Sequence, residues 1–201
     1  DVDLGLVPVA VIPQLDKAHI ITNRCIGADG PVETVCLFSD VPLSEIDEVL
    51  LDYQSRTSVQ LVQLLAEKHW NISPKWVEAQ NNFISKIEGK TAGVVIGDRA
   101  FDLSKRYKYV FDLPEEWKTL TGLPFVFAAW VSTKKLDPAF VLKFEEALNS
   151  GLSEKANAIE TMHGSANEEL VRYVENAISY QFDDKKRQAM KLFHDWLSKS
   201  S

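Results

Sequence analysis

Residues 49–65 change character twice over a short distance. The apolar run at 49–51 is followed by a polar turn at 52–58, and the turn opens a segment whose apolar side chains recur at helical spacing. This order predicts a buried strand that leads directly into an amphipathic helix. A chain that passes from strand to helix in this way favours a layered α/β architecture.

The polar turn holds three hydroxyls and one guanidinium where the helix is expected to begin: Ser55, Arg56, Thr57 and Ser58. The first N–H groups of a helix have no partner within the helix, and the helix dipole places partial positive charge there. Such an end binds anions, and an arginine adds a full charge with a planar fork suited to a carboxylate or phosphate. We interpret the turn as the anchor for an anionic small molecule. The alternative is that Ser55 or Thr57 only caps the helix.

The chain has 201 residues, of which 45% are apolar and 25% are charged, and its net charge is −7 with a pI near 5.2. This length is enough for one large domain or two small lobes. An acidic chain without a long basic block is a poor candidate for binding nucleic acid or an anionic membrane, and the basic runs at 105–108 and 185–187 are interpreted as solvated. No apolar run approaches the ~20 residues needed to cross a bilayer.

The first part of the chain is rich in strand patterns. Residues 7–12 are expected to form one strand, and residues 19–28 and 32–39 two arms of a hairpin around a Gly-containing turn. In such a hairpin Cys25 and Cys36 are offset along the strands, so no disulfide is expected. Reduced cysteines are consistent with a cytoplasmic protein.

The following segments alternate between strand and helix patterns. Strands are expected at 48–52, 75–79, 92–96 and 123–131, and helices at 56–69, at 83–88 and from 113 to the glycine at 122. From residue 137 onward the pattern is helical alone. The alternation predicts α/β layers in which the polar turns after buried strands gather at one edge and bind ligands.

A second polar turn has the same position relative to its strand. Gly97 allows a tight backbone turn after the strand at 92–96, and Asp98 follows it. At the carboxyl end of a strand, Asp98 could accept a hydrogen bond from a substrate hydroxyl or handle a proton. The alternative is that Asp98 caps the turn that follows.

The sequence offers no pattern for a metal or a nucleotide cofactor. The four histidines, His19, His69, His163 and His194, are far apart and show no metal-ligand spacing, and two cysteines cannot form a zinc cluster. The GxSxG, Walker A and GxGxxG patterns are missing from the sequence. We therefore expect no metal and no cofactor, and we expect the histidines to be structural or solvent-facing.

Five segments taken together carry a family resemblance: CIGA at 25–28, TVCLFS at 34–39, LDYQSRTS at 51–58, IGDRA at 96–100 and EWKTLTGLPFVFA at 116–128. In this order they resemble the chorismate dehydratase family of the futalosine route to menaquinone. The resemblance covers nearly the whole chain. The SRTS turn and the TGLPFVFA strand are fairly specific when they occur together.

The resemblance implies an α/β fold of the periplasmic-binding-protein type II class, with two lobes and a ligand cleft between them. Lobe one would comprise residues 1–38 and 128–201, and lobe two residues 39–127. The family usually carries an N-terminal strand–helix–strand portion that begins near a Ser-Tyr-Leu-Asn-like motif. This sequence contains no such segment, so we expect that an N-terminal piece, which supplies part of lobe one and of the site, is missing from it.

The implied activity is that of a carbon–oxygen lyase that removes water from chorismate to give 3-[(1-carboxyvinyl)oxy]benzoate without a cofactor. The turn at 55–58 would receive a substrate carboxylate, with Gly97 and Asp98 near the same cleft. The main general base is expected either outside this sequence or in the substrate's own side-chain carboxylate. The implied setting is a cytoplasmic enzyme with a small carboxylate as its partner.

Three other functions share this fold class. A non-catalytic solute-binding protein for a small carboxylate would require export from the cell. The dihydroxynaphthoate synthase of the same pathway has a distinguishing histidine, and no histidine lies at 97–127 of this sequence. An effector-binding regulatory lobe is the third alternative, and no helix-turn-helix pattern supports it.

Overall fold

The computed structural model describes residues 3–163 and 168–199, in which nine β-strands and six α-helices form. The strands are β1 (Leu4–Pro8), β2 (His19–Ala28), β3 (Val35–Ser39), β4 (Glu48–Leu51), β5 (Lys75–Glu78), β6 (Thr91–Ile96), β7 (Tyr109–Asp112), β8 (Phe125–Ser132) and β9 (Ser179–Gln181). The helices are α1 (Thr57–Leu65), α2 (Leu113–Thr121), α3 (Pro138–Ser153), α4 (Lys155–His163), α5 (Glu168–Arg172) and α6 (Asp184–Leu197).

The strands form two sheets. The first sheet has the order β1-β8-β2-β9 and is antiparallel. The second sheet has the order β5-β4-β6-β3-β7, in which β4 runs parallel to β5 and β6 while β3 runs antiparallel to β6 and β7. The prediction of a mixed α/β protein is confirmed.

The predicted hairpin of residues 19–28 and 32–39 is wrong. β2 pairs with β8 and β9 of the first sheet, whereas β3 pairs with β6 and β7 of the second. Sheet partners distant in sequence supply the buried surface that an isolated two-stranded hairpin lacks, so the turn carries the chain between sheets. Cys25 and Cys36 are buried and free, and burial raises the pKa of the Cys25 thiol to about 12.

Other boundaries also differ from the sequence prediction. The strand expected at 7–12 ends at Pro8 and continues as a 3₁₀ turn, Val9–Gln14. Pro8 and Pro13 lack the N–H groups that a continuing strand would use. The helix expected at 83–88 is a short 3₁₀ turn, and the segment expected to be only helical contains β9.

One apolar core joins the two sheets through α1, α2 and α6. Trp117 of α2 is fully buried, and its ring lies edge-on to Phe125 of β8 and Phe193 of α6, with centroids 5.3 and 6.1 Å away. Its indole N–H donates to the Pro124 carbonyl at 3.1 Å. Buried aromatic groups packed in this way stabilise the contact of α2 and α6 with β8.

The apolar stripe predicted for the first helix is confirmed. Leu61, Val62, Leu65 and Ala66 are buried, and His69 is half-buried beside Glu116 at 3.1 Å. The helix continues beyond α1 as one π-turn, Ala66–Trp70. The stripe packs α1 against the core. The N-terminal end of α1 lies at the junction of the two sheets, where Thr57 contacts β8.

The chain passes between the sheets at 28–35 and at 112–125. The structure therefore places β3 in the second sheet, although most of its residues belong to the range 1–38 that was expected in lobe one. It places all of β8 in the first sheet, although the expected boundary between the lobes, at residues 127 and 128, falls within this strand. The division of the chain into lobes stays a prediction. Among the described residues, no helix is long and apolar enough to cross a membrane.

Candidate functional site

A cavity of about 280 Å³ lies where the two sheets meet at the start of α1. Its walls come from β2, β3, β6, β8 and the turn that follows α5. Most of the wall surface is apolar, and the residues that contribute to it include Ile26, Val32, Val35, Ile96, Phe127 and Ile178. Small-molecule sites are usually concave and mostly apolar, with a few placed polar groups, and this cavity is near the lower end of their volume range.

The structure brings five of the six residues predicted for the site to this cavity. Ser55, Arg56, Thr57, Ser58 and Gly97 all line it. A wider groove of about 530 Å³ also borders Arg56, but the three hydroxyl residues do not line it. We therefore take the smaller cavity as the candidate site. Their role in substrate binding stays a prediction.

The hydroxyls of Ser55 and Thr57 are already engaged in the structure. Ser55 Oγ accepts the N–H of Ser58 at 3.0 Å, so Ser55 caps α1, as the alternative interpretation expected. Thr57 Oγ1 donates to the Phe127 carbonyl at 3.0 Å and accepts the Ala10 N–H at 3.4 Å. Thr57 is 3% exposed and ties the start of α1 to β8 and the 9–14 turn. These two side chains position the helix end.

The Ser58 hydroxyl and the Arg56 guanidinium are the free donors at this end. Within residues 3–163 and 168–199, neither side chain has an assigned hydrogen bond or ion pair. Ser58 is 2% exposed, yet its hydroxyl oxygen is not completely buried. Ser58 lines the cavity, so the small exposed part of its side chain faces the cavity. A cationic fork and a hydroxyl at a helix N-terminus can hold a carboxylate.

A second arginine and an aspartate fix the turn that precedes α1. Asp52 is fully buried and accepts the Arg99 Nη2–H at 2.6 Å, the Ile96 N–H at 3.1 Å and the Gln54 N–H at 3.0 Å. The bonds join the ends of β4 and β6. Arg99 is therefore neutralised by a partner, whereas Arg56 remains available.

Gly97 and Asp98 have different relations to the cavity. Gly97 has a φ of +68°, which favours glycine, and its N–H donates to the Thr34 carbonyl at 2.8 Å. Asp98 is exposed in the 3₁₀ turn Gly97–Ala100 and is not among the residues that line the cavity. Its main-chain carbonyl, not its carboxylate, closes the turn with the Phe101 N–H at 3.4 Å. A role for Asp98 in proton handling stays a prediction.

Sequence reasoning missed a pair of hydroxyls in the cavity wall. Thr34 Oγ1 and Tyr173 Oη lie 2.7 Å apart, and both residues line the cavity. The Tyr173 ring packs edge-on against Phe101, with centroids 5.3 Å apart. Burial raises the pKa of Tyr173, although the bond to Thr34 opposes this shift. No local pattern could reveal the pair, because 139 positions separate its members.

Two of the histidines make structural contacts. His194 lies 2.8 Å from the Val9 carbonyl, and burial lowers its pKa. His69 lies beside Glu116. The side chain of His163 is outside the described part of the structure. Among the described residues, no three His, Cys, Asp or Glu side chains are grouped so that they could hold a metal ion.

The fold and the cavity define the class of this molecule as a two-sheet α/β protein with a mostly apolar cavity at the junction of its sheets. Protein AF1704 from Archaeoglobus fulgidus has a similar crystal structure, with a TM-score of 0.77 at 16% identity over 100% of this chain and 80% of that one. An ABC transporter structure from Parabacteroides distasonis gives a TM-score of 0.55 at 15% identity over 96% of this chain and 75% of that one. These likenesses establish the fold.

Comparison of the amino-acid sequence with known proteins identifies the family to which the chain belongs. The chain belongs to the menaquinone biosynthesis family, whose model matches residues 1–199. A chorismate dehydratase from Thermus thermophilus is 28% identical over 164 residues, which is 72% of this chain and 60% of the relative. A chorismate dehydratase from Campylobacter jejuni is 32% identical over 87 residues, or 42% of this chain and 39% of the relative. The chain thus spans less than two thirds of either curated relative.

Proposed function

We propose that this protein is a chorismate dehydratase of menaquinone biosynthesis, a hydro-lyase that converts chorismate to 3-[(1-carboxyvinyl)oxy]benzoate and water without a cofactor. The family and the names of the two relatives support this reaction. The observation that carries the proposal is the start of α1, where Ser58 and Arg56 border a mostly apolar cavity and have no assigned polar partner among the described residues.

The proposal includes the architecture in which the reaction takes place. The two sheets would belong to two lobes of a periplasmic-binding-protein type II fold that close over the substrate. The crossings at 28–35 and 112–125 would be the connections between the two lobes. Closure would remove water from a cavity that is already lined by apolar side chains. We also propose a cytoplasmic location, as expected of a biosynthetic enzyme.

Chorismate suits this cavity because it combines two carboxylates with an apolar ring. One carboxylate would lie at the start of α1, where the helix dipole, the Ser58 hydroxyl and the Arg56 guanidinium all favour negative charge. Thr57 and Ser55 would keep this end in place through their bonds to Phe127 and to the Ser58 N–H. Fixed donors need no reorganisation during the reaction, so they stabilise developing charge effectively.

The reaction needs a base but little other chemical assistance. A ring proton leaves, the electrons of its C–H bond form the new double bond, and the ring C–O bond breaks as its oxygen takes up a proton and departs as water. Completion of an aromatic ring supplies the driving force. Among the described residues that line the cavity, none carries a carboxylate, an imidazole or an amine. The base would then be either the substrate's own side-chain carboxylate, held in position by the site, or a residue outside this sequence.

The decisive experiment is incubation of the full natural protein with chorismate, with the aromatic product followed by NMR. Product formation is expected, and Ser58→Ala should lower kcat/KM about tenfold, since a hydrogen bond to a charged group contributes about 1.5–3 kcal/mol. Ser104→Ala is the control, because Ser104 is exposed and lies away from the cavity. Tight binding without turnover would instead identify a solute-binding protein, and unchanged kinetics in Ser58→Ala would remove this hydroxyl from the site.

A further inference from the structure

Two hydroxyls in the cavity wall come from segments that are distant in the sequence. Thr34 lies in the crossing between β2 and β3, and Tyr173 begins the turn Tyr173–Ala177 after α5. Thr34 is 1% exposed, and its oxygen is 2.7 Å from that of Tyr173. Both residues line the same cavity as Ser58. The pair therefore forms a second polar position in a wall that is otherwise mostly apolar.

The hydrogen bonds of this pair leave one proton without an acceptor. Each hydroxyl has a single O–H group, and either oxygen can be the donor in the bond between them. Within the described part of the chain, neither oxygen has another assigned partner. One O–H group must therefore point elsewhere. Tyr173 also borders a second cavity, but the candidate cavity is the open space that both residues line. A ligand oxygen in the cavity would accept this hydrogen bond.

The charges around the pair differ from those at the start of α1. Burial and the nearby Asp98 carboxylate raise the pKa of Tyr173, so its hydroxyl stays protonated at neutral pH. The same carboxylate disfavours a second anion at this position. No such acid is present in the first turn of α1, where Arg56 contributes positive charge. The cavity thus has an anion-binding position and a separate donor position that suits a neutral oxygen.

We propose that the Thr34–Tyr173 hydroxyl pair donates one hydrogen bond to the ring hydroxyl oxygen of the substrate and so orients the leaving group. This inference rests on the proposed function. When the ring C–O bond breaks, negative charge develops on that oxygen, and a donor in place stabilises it before it leaves as water. No proton passes to or from Tyr173 in this role. With one carboxylate at α1, the second contact leaves a single orientation of the ring.

The test uses variants of the pair in the full natural protein. Tyr173→Phe keeps the ring against Phe101, Thr34→Val keeps the shape of threonine, and both remove a hydroxyl. Each should lower kcat/KM for chorismate about tenfold, mainly through kcat, while Thr34→Ser should retain most of the activity. Tyr109→Phe is the matched control, because Tyr109 lies in β7 and does not line the cavity.

The reaction product distinguishes a contact with the leaving group from a structural role. 3-[(1-Carboxyvinyl)oxy]benzoate lacks the ring hydroxyl, so its inhibition constant should be unchanged in Tyr173→Phe. Wild-type kinetics in both Tyr173→Phe and Thr34→Val would overturn the inference, and so would a parallel loss of product binding. If the unmodified protein forms no product from chorismate, both the proposed function and this inference are wrong. If the unmodified protein forms product and the kinetics of Tyr173→Phe and Thr34→Val equal those of the wild type, only this inference is wrong.

Discussion

The starts of α1 and α2 are built from different residues although their positions are alike. Each helix has nine residues and follows a strand of the second sheet. At α2, the Asp112 carboxylate accepts the Glu115 N–H at 3.2 Å, and Glu115 and Glu116 lie in the first turn. At α1, the first turn has no acid and the cap is the neutral hydroxyl of Ser55.

The difference separates a structural helix start from one that can bind an anion. The acids at α2 compensate the helix dipole within the protein, so little positive potential remains. The hydroxyl cap at α1 satisfies one N–H group and leaves the dipole uncompensated. Arg56 and Ser58 add donors that have no assigned partners among the described residues. The residues that cap a helix therefore indicate its role better than the presence of the helix itself.

The largest expected effect comes from removing the cap of α2. Asp112 is 8% exposed and also accepts the N–H groups of Val32 and Glu33 at 2.8 and 2.7 Å, so it joins α2 to the first crossing between the sheets. Asp112→Ala leaves these donors without an acceptor and should lower the free energy of unfolding by about 3 kcal/mol, measured in urea. A loss of less than about 1 kcal/mol would contradict this role.

Asp112→Asn keeps an acceptor oxygen and serves as the control for this change. Burial raises the folded-state pKa of Asp112 in spite of its three backbone hydrogen bonds. A raised folded-state pKa means that the protonated carboxyl is the form that favours folding. The free energy of unfolding of the unmodified protein, measured relative to that of Asp112→Asn, should therefore fall as the pH rises from about 3.9, the pKa of the unfolded chain, through the higher pKa of the folded state. The opposite slope would mean that the hydrogen bonds outweigh the burial of the charge.

A smaller effect is expected at the start of α1, on binding and not on stability. Arg56 is exposed and has no assigned partner in the described ranges, so Arg56→Gln should change the free energy of unfolding by less than about 0.5 kcal/mol. The same change should raise KM about three- to fivefold, since an exposed ion pair contributes up to about 1 kcal/mol, and added salt should reduce the difference. An unchanged KM would remove Arg56 from the site.

Arg99→Gln is the matched control, because it removes the same charge from a structural partner. It leaves the fully buried Asp52 without its 2.6 Å ion pair, so stability should fall by more than in Arg56→Gln. Equal losses of stability in the two variants would show that the arginines are not divided between binding and structure as proposed.

The helix starts could be predicted from sequence because their signals are local. The sequence predicts α2 from residue 113 to the glycine at 122, as the structure has it, and the apolar stripe from Leu61 to Ala66 indicates α1. The pairing of strands could not be predicted from sequence, because a turn signal between two strands does not show to which sheet each strand belongs. β2 pairs with β8, about a hundred positions away along the chain. Strand β9 has three residues, too few for a periodic pattern.

In the candidate site, too, the local features could be predicted from sequence and the contacts between distant segments could not. Ser55, Arg56, Thr57, Ser58 and Gly97 were predicted from turns that follow strands, and the structure places all of them at one cavity. Sequence could not show that Thr57 and Ser55 use their hydroxyls within the protein while Ser58 does not. Such assignments depend on acceptors supplied by other segments, for example the Phe127 carbonyl.

The smallest expected effect is at Glu115, the exposed acid in the first turn of α2. Glu115→Gln removes a favourable interaction with the helix dipole of about 0.3–1 kcal/mol. It also relieves the repulsion by which Glu115 raises the pKa of Asp112, so the net loss in free energy of unfolding should be below about 0.5 kcal/mol. Kinetics with chorismate should be unchanged, because no residue of α2 itself lines the cavity. A raised KM in this variant would show that the two helix starts are electrostatically coupled, which their separate caps argue against.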